Sequence, residues 1–144
     1  MKVSVVISTR NRVELLTERS IPSVLRQTFK NYEIIVIDDD SDDDVFGFAL
    51  PEGVRYYRNK KRMGLAYNRN LGVKMAKGEY IVSLDDDNEF HPHFLARTVE
   101  YLDSHPDVHA VGVKKIVVYP EGKSYQLPKI PCSINDGFLI MKSV

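Results

Sequence analysis

The chain has 144 residues, which is enough for one domain with a hydrophobic core. Its apolar fraction of 43% and charged fraction of 28% are typical of a soluble globular protein and argue against a disordered or membrane-embedded chain. Because 20 basic residues balance 20 acidic ones, we expect no nucleic-acid partner.

The first half of the chain alternates apolar strands with helical segments. Residues 3–8 are mostly β-branched and predict a strand buried on both faces. Asn11 is expected to cap a helix, and Pro22 predicts a kink in that helix or a new helix starting near Ser20. Further strands are predicted over residues 33–37 and 54–58.

The second half continues the alternation. A helix is predicted over residues 65–77, and Gly78 follows it where a left-handed cap residue is favoured. Pro92 suits the first turn of another helix, which we expect to end near Ser104. The remaining strand predictions cover residues 80–84, 108–119 (one long strand or a pair) and 138–141.

Strands that alternate with helices predict an α/β fold with a mostly parallel sheet, flanked by helices, in a single domain. Ligands of such sheets bind beyond the carboxyl ends of the strands. Polar residues follow three of the predicted strands, at positions 8–11, 38–40 and 85–87. We therefore expect these three segments to form one site.

The acidic segment Asp85-Asp86-Asp87 is the main candidate for metal binding. Three adjacent carboxylates repel one another unless a counter-charge is present. Mn²⁺ and Mg²⁺ bind hard oxygen ligands, often one or two carboxylates together with phosphate oxygens. Since alternate residues of an extended segment face the same way, Asp85 and Asp87 are the candidate ligands and Asp86 points elsewhere. A solvated acidic turn is the alternative interpretation.

Cationic residues lie in segments near the same edge. Arginine can hold a diphosphate with two parallel hydrogen bonds, and Arg10, Arg12, Arg62 and Arg69 are candidates. Arg69 is expected to face the strand ends, whereas a solvated charged face is the favoured interpretation of Lys60 and Lys61.

Five blocks of the sequence, in order and spacing, resemble family 2 glycosyltransferases of the GT-A fold. The blocks are residues 3–12 (VSVVISTRNR), 23–28 (SVLRQT), 33–41 (EIIVIDDDS), 64–72 (GLAYNRNLG) and 78–87 (GEYIVSLDDD). The resemblance implies that residues 1–144 form a Rossmann-like nucleotide-sugar-binding domain. It further implies inverting transfer of a sugar from a nucleoside diphosphate, usually a UDP-sugar, to a glycan, lipid or protein acceptor, as in polysaccharide biosynthesis.

The resemblance also implies roles for individual residues. Ser8, Thr9 and Arg10 would line the pocket for the base, and Asp39 would bind the base, usually uracil. The acidic segment matches the D-x-D motif: Asp87, with Asp85, would hold Mn²⁺ or Mg²⁺, and Asp85 or Asp86 would contact the ribose or donor sugar. The metal would act as a Lewis acid on the departing diphosphate.

The chain also departs from the family pattern. Ser8 and Arg10 replace the usual Pro and Tyr, and Asp40 replaces a common Gly. The family's catalytic carboxylate normally lies beyond a segment that resembles residues 135–141. Because the sequence stops at Val144, we expect a fragment or a minimal or inactive relative, with Asp136 as the candidate base.

Two other functions fit parts of the sequence. One is a nucleotide-sugar-binding module of the same fold without catalysis. The other is a receiver-type domain in which Asp85 is the phosphoacceptor. The single cysteine, Cys132, suits a reducing compartment, and no apolar run approaches the ~20 residues of a membrane span. We expect a cytoplasmic protein, with peripheral attachment to the inner face of a membrane as an alternative.

Overall fold

The computed structural model describes residues 1–42, 50–113, 116–118, 124–126 and 139–143. Within these residues, helices pack on a six-stranded mixed sheet, and two further short strands pair with each other. The elements are β1 (Val3–Thr9), α1 (Val13–Leu15), a π-helical turn (Leu16–Ser20), α2 (Ile21–Leu25), β2 (Tyr32–Asp38), β3 (Val54–Arg58), α3 (Leu65–Met75), β4 (Tyr80–Asp85), α4 (Phe94–Ser104), β5 (Ala110–Gly112), β6 (Ile116–Val118), β7 (Ser124–Gln126) and β8 (Leu139–Lys142).

The strand order of the main sheet is β3-β2-β1-β4-β8-β5. The first four of these strands are mutually parallel, whereas β8 runs antiparallel to both β4 and β5. The predicted mostly parallel α/β sheet is therefore confirmed. Among the described residues of the range 108–119, β5 and β6 are two strands rather than one, because β5 joins the main sheet and β6 pairs with β7. The receiver interpretation is wrong. In a receiver the strands have the order 2-1-3-4-5, so the strands that end in the two acidic segments, here β2 and β4, would be neighbours. In this protein β1 lies between β2 and β4 and pairs with both.

Two apolar layers hold the helices to the sheet. Successive side chains of a strand face opposite sides, and all seven residues of β1 are buried. On one face, Val5 and Ile7 belong to a core that includes residues of α2 and α4. On the other face, Val6 packs with residues of β2, β4 and α3. Burial on both faces explains why the central strands are continuous apolar runs without polar alternation.

The helical stretch after β1 stays continuous through Pro22. A π-helical turn over Leu16–Ser20 leads directly into α2, which carries Pro22 in its first turn. Proline lacks an N–H and its ring crowds the carbonyl four residues earlier, so a widened turn before it accommodates the ring. The start of α2 at Ile21 agrees with the predicted boundary near Ser20, although the backbone stays helical across that boundary.

Three predictions of local structure were wrong. Asn11 caps no helix; its φ is 51°, and its side chain pairs with the backbone N–H and carboxylate of Asp42. Gly78 has no positive φ, because α3 already ends at Met75 and Ala76 is extended. Pro92 precedes α4 rather than lying in its first turn, and its carbonyl accepts the backbone N–H of Thr28.

Gly78 is instead required by close packing against β1. A Cβ atom at this position would lie 2.6 Å from the Ser4 nitrogen and 2.7 Å from the Val3 carbonyl carbon. The Gly78 N–H also donates to Ser4 Oγ at 2.8 Å. The absence of a side chain at Gly78 therefore allows the segment before β4 to pack closely against the start of β1.

A buried carboxylate organises the amino ends of the strands. Glu33 is 5% exposed and accepts hydrogen bonds from Ser4 Oγ (2.6 Å), Arg55 Nη1 (2.7 Å) and the backbone N–H of Lys77 (2.7 Å). Burial alone would raise the pKa of Glu33, but these three donors outweigh that effect and hold the pKa below its usual value. This group lies at the edge of the sheet opposite the carboxyl ends.

No helix within the described parts of the chain is both long enough and apolar enough to cross a lipid bilayer.

Candidate functional site

The carboxyl ends of the central strands meet at one edge, as the sequence predicts. In the parallel register, Thr9 lies beside Asp38 and Ser8 lies beside Asp85. The three strands therefore end within about one residue of each other. Any polar residue that follows them is delivered to the same small region of the surface.

A cavity of about 430 Å³ opens at this edge. That volume falls within the range of small-molecule sites. The lining residues come from the ends of β1, β2 and β4 and from the start of α3: Ser8, Thr9, Arg10, Arg12, Asp39, Arg62, Gly64, Leu65, Asn68, Asp85, Asp86 and Asp87.

Asp86 is the buried member of the acidic segment. Its side chain is 6% exposed, and it accepts hydrogen bonds from Thr9 Oγ1 (2.9 Å) and Arg12 Nη1 (3.2 Å). Burial raises the pKa of Asp86, and the bonds from Thr9 and Arg12 oppose that rise. Asp86 therefore ties β4 to the loop after β1.

Asp85 and Asp87 are the exposed members, with side chains 42% and 48% accessible to solvent. Asp85 Oδ1 accepts a hydrogen bond from Arg69 Nη2 at 2.8 Å, and Asp87 Oδ2 accepts one from Arg12 Nη1 at 3.2 Å. Asp85 and Asp87 are more exposed than Asp86, as alternation predicts, but Asp86 does not point away from the site, because it also lines the cavity and shares Arg12 with Asp87. Each exposed carboxylate already has an arginine partner.

Asp39 holds the loop that precedes α3. It is 5% exposed; its Oδ1 accepts hydrogen bonds from the Met63 N–H (2.7 Å) and Asn59 Nδ2 (3.0 Å), and its Oδ2 accepts the Gly64 N–H (2.9 Å). Burial alone would raise the pKa of Asp39, but these donors outweigh it and hold the pKa below its usual value. Gly64 has a φ of 87°, which favours glycine and turns the chain into the helix.

Asp38 is anchored in the same way, one residue earlier. It is fully buried; its Oδ1 accepts the backbone N–H and hydroxyl of Ser41, and its Oδ2 accepts the Tyr56 hydroxyl. The hydroxyl of Ser41 also accepts the backbone N–H of Asn11 at 2.9 Å. The loops after β1 and β2 are therefore fastened to each other beside the cavity.

Three buried polar atoms near the site have no hydrogen-bond partner among the described residues: Ser8 Oγ, Arg10 Nε and Arg69 Nε. Buried polar groups are normally hydrogen-bonded, so such atoms suit contact with a polar ligand. Ser8 and Arg10 both line the cavity.

The donor set fits a hard divalent cation only in part. Asp85 and Asp87 supply carboxylate oxygens at the cavity, as Mn²⁺ and Mg²⁺ prefer. No group of three or more His, Cys, Asp or Glu side chains in the described ranges is arranged to hold a metal. A cation at this edge would therefore need further oxygens, such as those of a bound phosphate.

The site thus brings together eight of the nine site residues predicted from the sequence. Seven of them line the cavity, and Arg69 reaches it through its bond to Asp85. Asp136, the candidate base, lies outside the described residues. Sequence reasoning named Arg62 among the cations near this edge but assigned no role to Gly64, Leu65 and Asn68. The run Asn68-Arg69-Asn70, polar where a helix begins, was the available signal for Asn68.

Comparison with known proteins adds a family match. Residues 4–141 match the model of glycosyl transferase family 2. An uncharacterized glycosyltransferase of Rickettsia conorii is 37% identical over 123 residues, which cover 78% of this chain and 20% of that protein. TarP of Staphylococcus aureus, a poly(ribitol-phosphate) β-N-acetylglucosaminyltransferase, is 37% identical over 135 residues, covering 89% of this chain and 40% of TarP. The chain spans less than half the length of these relatives.

Solved structures share the fold. The mannosyltransferase PcManGT of Pyrobaculum calidifontis, in complex with GDP-Man and Mn²⁺, superposes with a TM-score of 0.69 at 25% identity, covering 83% of this chain and 36% of that one. Residues 1–349 of S. aureus TarS, in complex with UDP-GlcNAc, superpose with a TM-score of 0.67 at 24% identity, covering 82% of this chain and 34% of that one.

Proposed function

Because this chain belongs to glycosyl transferase family 2, we propose that it binds a nucleoside-diphosphate sugar at the carboxyl edge of its sheet. In this proposal the chain is the donor-binding part of an inverting glycosyltransferase. The donor is a UDP-sugar, and the acceptor is a glycan, lipid or protein. The observation that carries the proposal is the convergence of the acidic segment, Asp39 and the arginines on one cavity.

The residues of the cavity divide into two groups in this proposal. Ser8, Arg10 and Asp39 receive the nucleoside; the partnerless Ser8 Oγ and Arg10 Nε supply hydrogen-bonding capacity for a base or ribose. The choice of uracil rests on the family resemblance. Asp39 also holds the Met63–Gly64 backbone, so its role combines shaping the pocket with contacting the nucleoside.

The second group receives the diphosphate and sugar. Arg12 and Arg69 lie against Asp87 and Asp85, where their guanidinium groups can also reach phosphate oxygens. Asp85 or Asp86 would contact the ribose or the donor sugar. Asp86, buried against Thr9, keeps the acidic segment in register with β1.

Asp87, with Asp85, is proposed to hold Mn²⁺ or Mg²⁺ together with the donor phosphates. PcManGT, at 25% identity, was crystallised with Mn²⁺ and a nucleotide-sugar, which supports a divalent cation in this proposal. When bound, the cation supplies Lewis-acid stabilisation of the departing diphosphate.

Inverting displacement is aided by a base that takes the proton of the acceptor hydroxyl, and the family resemblance implies that this base is a carboxylate. Asp136 remains the candidate from the sequence. If no residue of this chain supplies the base, the domain binds the donor without transferring it. This is the second candidate function, and turnover assays separate it from the first.

Isothermal titration calorimetry with UDP, UDP-sugars and GDP-Man, each with and without Mn²⁺, tests the proposal. We expect metal-dependent binding of UDP that Asp87→Ala abolishes. Asp107→Ala is the matched control, because Asp107 is exposed and precedes β5 at the opposite edge of the sheet. Absence of nucleoside-diphosphate binding by the folded wild-type protein would refute the proposal, and tighter binding of GDP-Man would refute the choice of uracil.

A further inference from the structure

The charges around the cavity are balanced internally. Four aspartates line it, and their counter-charges are Arg10, Arg12 and Arg62 in the lining and Arg69 beside it. The two exposed carboxylates of the acidic segment are each bonded to one of these arginines. A lone divalent cation that approaches Asp85 or Asp87 therefore meets carboxylates that are already paired.

Arg12 differs from Arg69 in how it is anchored. A single nitrogen, Arg12 Nη1, lies 3.2 Å from Asp86 Oδ1 and 3.2 Å from Asp87 Oδ2. Asp86 is buried and is also held by Thr9, whereas Asp87 is about half exposed. If Asp87 turns toward a cation, Arg12 keeps its bond to Asp86 and its positive charge stays next to the cation.

A fixed positive charge beside a metal ligand has two opposite effects. It weakens binding of a cation on its own, because like charges repel. It strengthens binding of a diphosphate, because the guanidinium and the cation attract the same anion. A bound diphosphate gives the guanidinium another anionic partner, so Arg12 competes less with the cation for Asp87 when the diphosphate is present. The two ligands then favour each other's binding, and by linkage the enhancement is the same in both directions.

We infer that the Arg12 guanidinium weakens binding of the divalent cation alone and makes it depend on the diphosphate. The inference rests on the proposed donor site. Arg12 acts on the cation through its contacts with Asp86 and Asp87 and on the diphosphate directly, and it is assigned no step in the transfer reaction. Its consequence is that the protein discriminates against free metal ions and takes up the cation together with the nucleotide.

The test measures the affinity for Mn²⁺ directly, from the electron paramagnetic resonance signal of free Mn²⁺. Titrations are run with Mn²⁺ alone and with Mn²⁺ in the presence of saturating UDP. The variants are Arg12→Met, which removes the charge, and Arg12→Lys, which keeps it. Arg97→Met is the matched control, because Arg97 lies on α4 with a side chain that is 80% exposed. Arg12→Gln is a second neutral variant, and circular dichroism verifies that each protein is folded.

We expect Arg12→Met to bind Mn²⁺ alone about two- to fivefold more tightly than the wild type, the range expected for removing one partly exposed charge interaction. The enhancement by UDP should shrink in this variant. Arg12→Lys and Arg97→Met should both stay close to the wild type for Mn²⁺ alone. Unchanged or weaker binding of Mn²⁺ alone by both neutral variants would overturn the inference.

The experiment separates this inference from the proposed function. Metal-dependent UDP binding by the wild type, with no gain for Mn²⁺ alone in the neutral variants, refutes only the role of Arg12. If the wild type binds neither UDP nor Mn²⁺ in their joint presence, both the donor site and the role of Arg12 are refuted.

Discussion

Asp39 has two distinct roles to test, one given by the structure and one implied by the family resemblance. The resemblance implies a contact to the base, whereas the structure shows its carboxylate bonded to Asn59 and to the backbone N–H groups of Met63 and Gly64. We predict that Asp39→Asn both destabilises the fold and weakens nucleotide binding, because the same loop forms one wall of the cavity.

The size of the effect follows from the bonds. An asparagine side chain keeps one acceptor oxygen for Met63 and Asn59 but turns an NH₂ group toward the Gly64 N–H. One charge-assisted bond is lost and two donors face each other, so we expect a loss of about 2–3 kcal/mol in the free energy of unfolding. For a chain of this length that corresponds to a decrease of about 6–10 °C in melting temperature.

The assay is urea denaturation followed by circular dichroism, with Asp107→Asn as the control at an exposed position. The control should change stability by less than about 0.5 kcal/mol. The pKa of Asp39 is lowered in the folded protein, so its contribution is present above the ordinary value of 3.8 and is lost as the pH falls through the lower folded value. The difference between wild type and Asp39→Asn should therefore shrink only at acidic pH.

One combination of results would refute this reasoning. If Asp39→Asn loses nucleotide affinity but keeps wild-type stability, its bonds to the loop contribute little to the fold. Asp39 would then act mainly through a direct contact to the base.

Three further predictions concern other parts of the molecule. Glu33→Gln should lower the free energy of unfolding by about 2 kcal/mol near neutral pH, as measured by urea denaturation. It should leave the UDP affinity measured by calorimetry unchanged, because Glu33 and its donors lie at the amino ends of the strands. An altered UDP affinity would contradict the placement of the donor site at the carboxyl ends. The Glu33 contribution should fade as the pH falls below 4.5 and through its lowered folded pKa. Gly78→Ala should lower the free energy of unfolding by about 2 kcal/mol or more, since its Cβ would meet the backbone of Val3 and Ser4. If urea denaturation shows the variant to be as stable as the wild type, β1 and β4 can move apart at little cost. Asp136→Asn, in a protein with measurable transfer, should lower kcat about 100-fold or more with UDP affinity unchanged; a change of only a few-fold would exclude Asp136 as the base.

The sequence was sufficient for the architecture because the pattern is strong at several levels. Continuous β-branched runs separated by helical segments predict buried parallel strands, and β1, β2 and β4 are found where those runs lie. The same pattern places the strand ends at one edge, so the residues that follow β1, β2 and β4 could be assigned to one site from the sequence. The errors at Asn11, Gly78 and Pro92 all concern residues whose role is set by a neighbour distant in sequence.

Sequence by itself determined most of the residues that reach the site, because they lie at or just after the carboxyl ends of buried strands. Only the tertiary structure decided how their charges are paired. The partners of Asp39 are 20 to 25 residues away in the chain, and Asp86 meets Thr9 and Arg12 across more than 70 residues. Pairing of this kind depends on distances of a few ångströms between side chains from different strands and loops. No local pattern encodes such distances, whereas local patterns do encode burial.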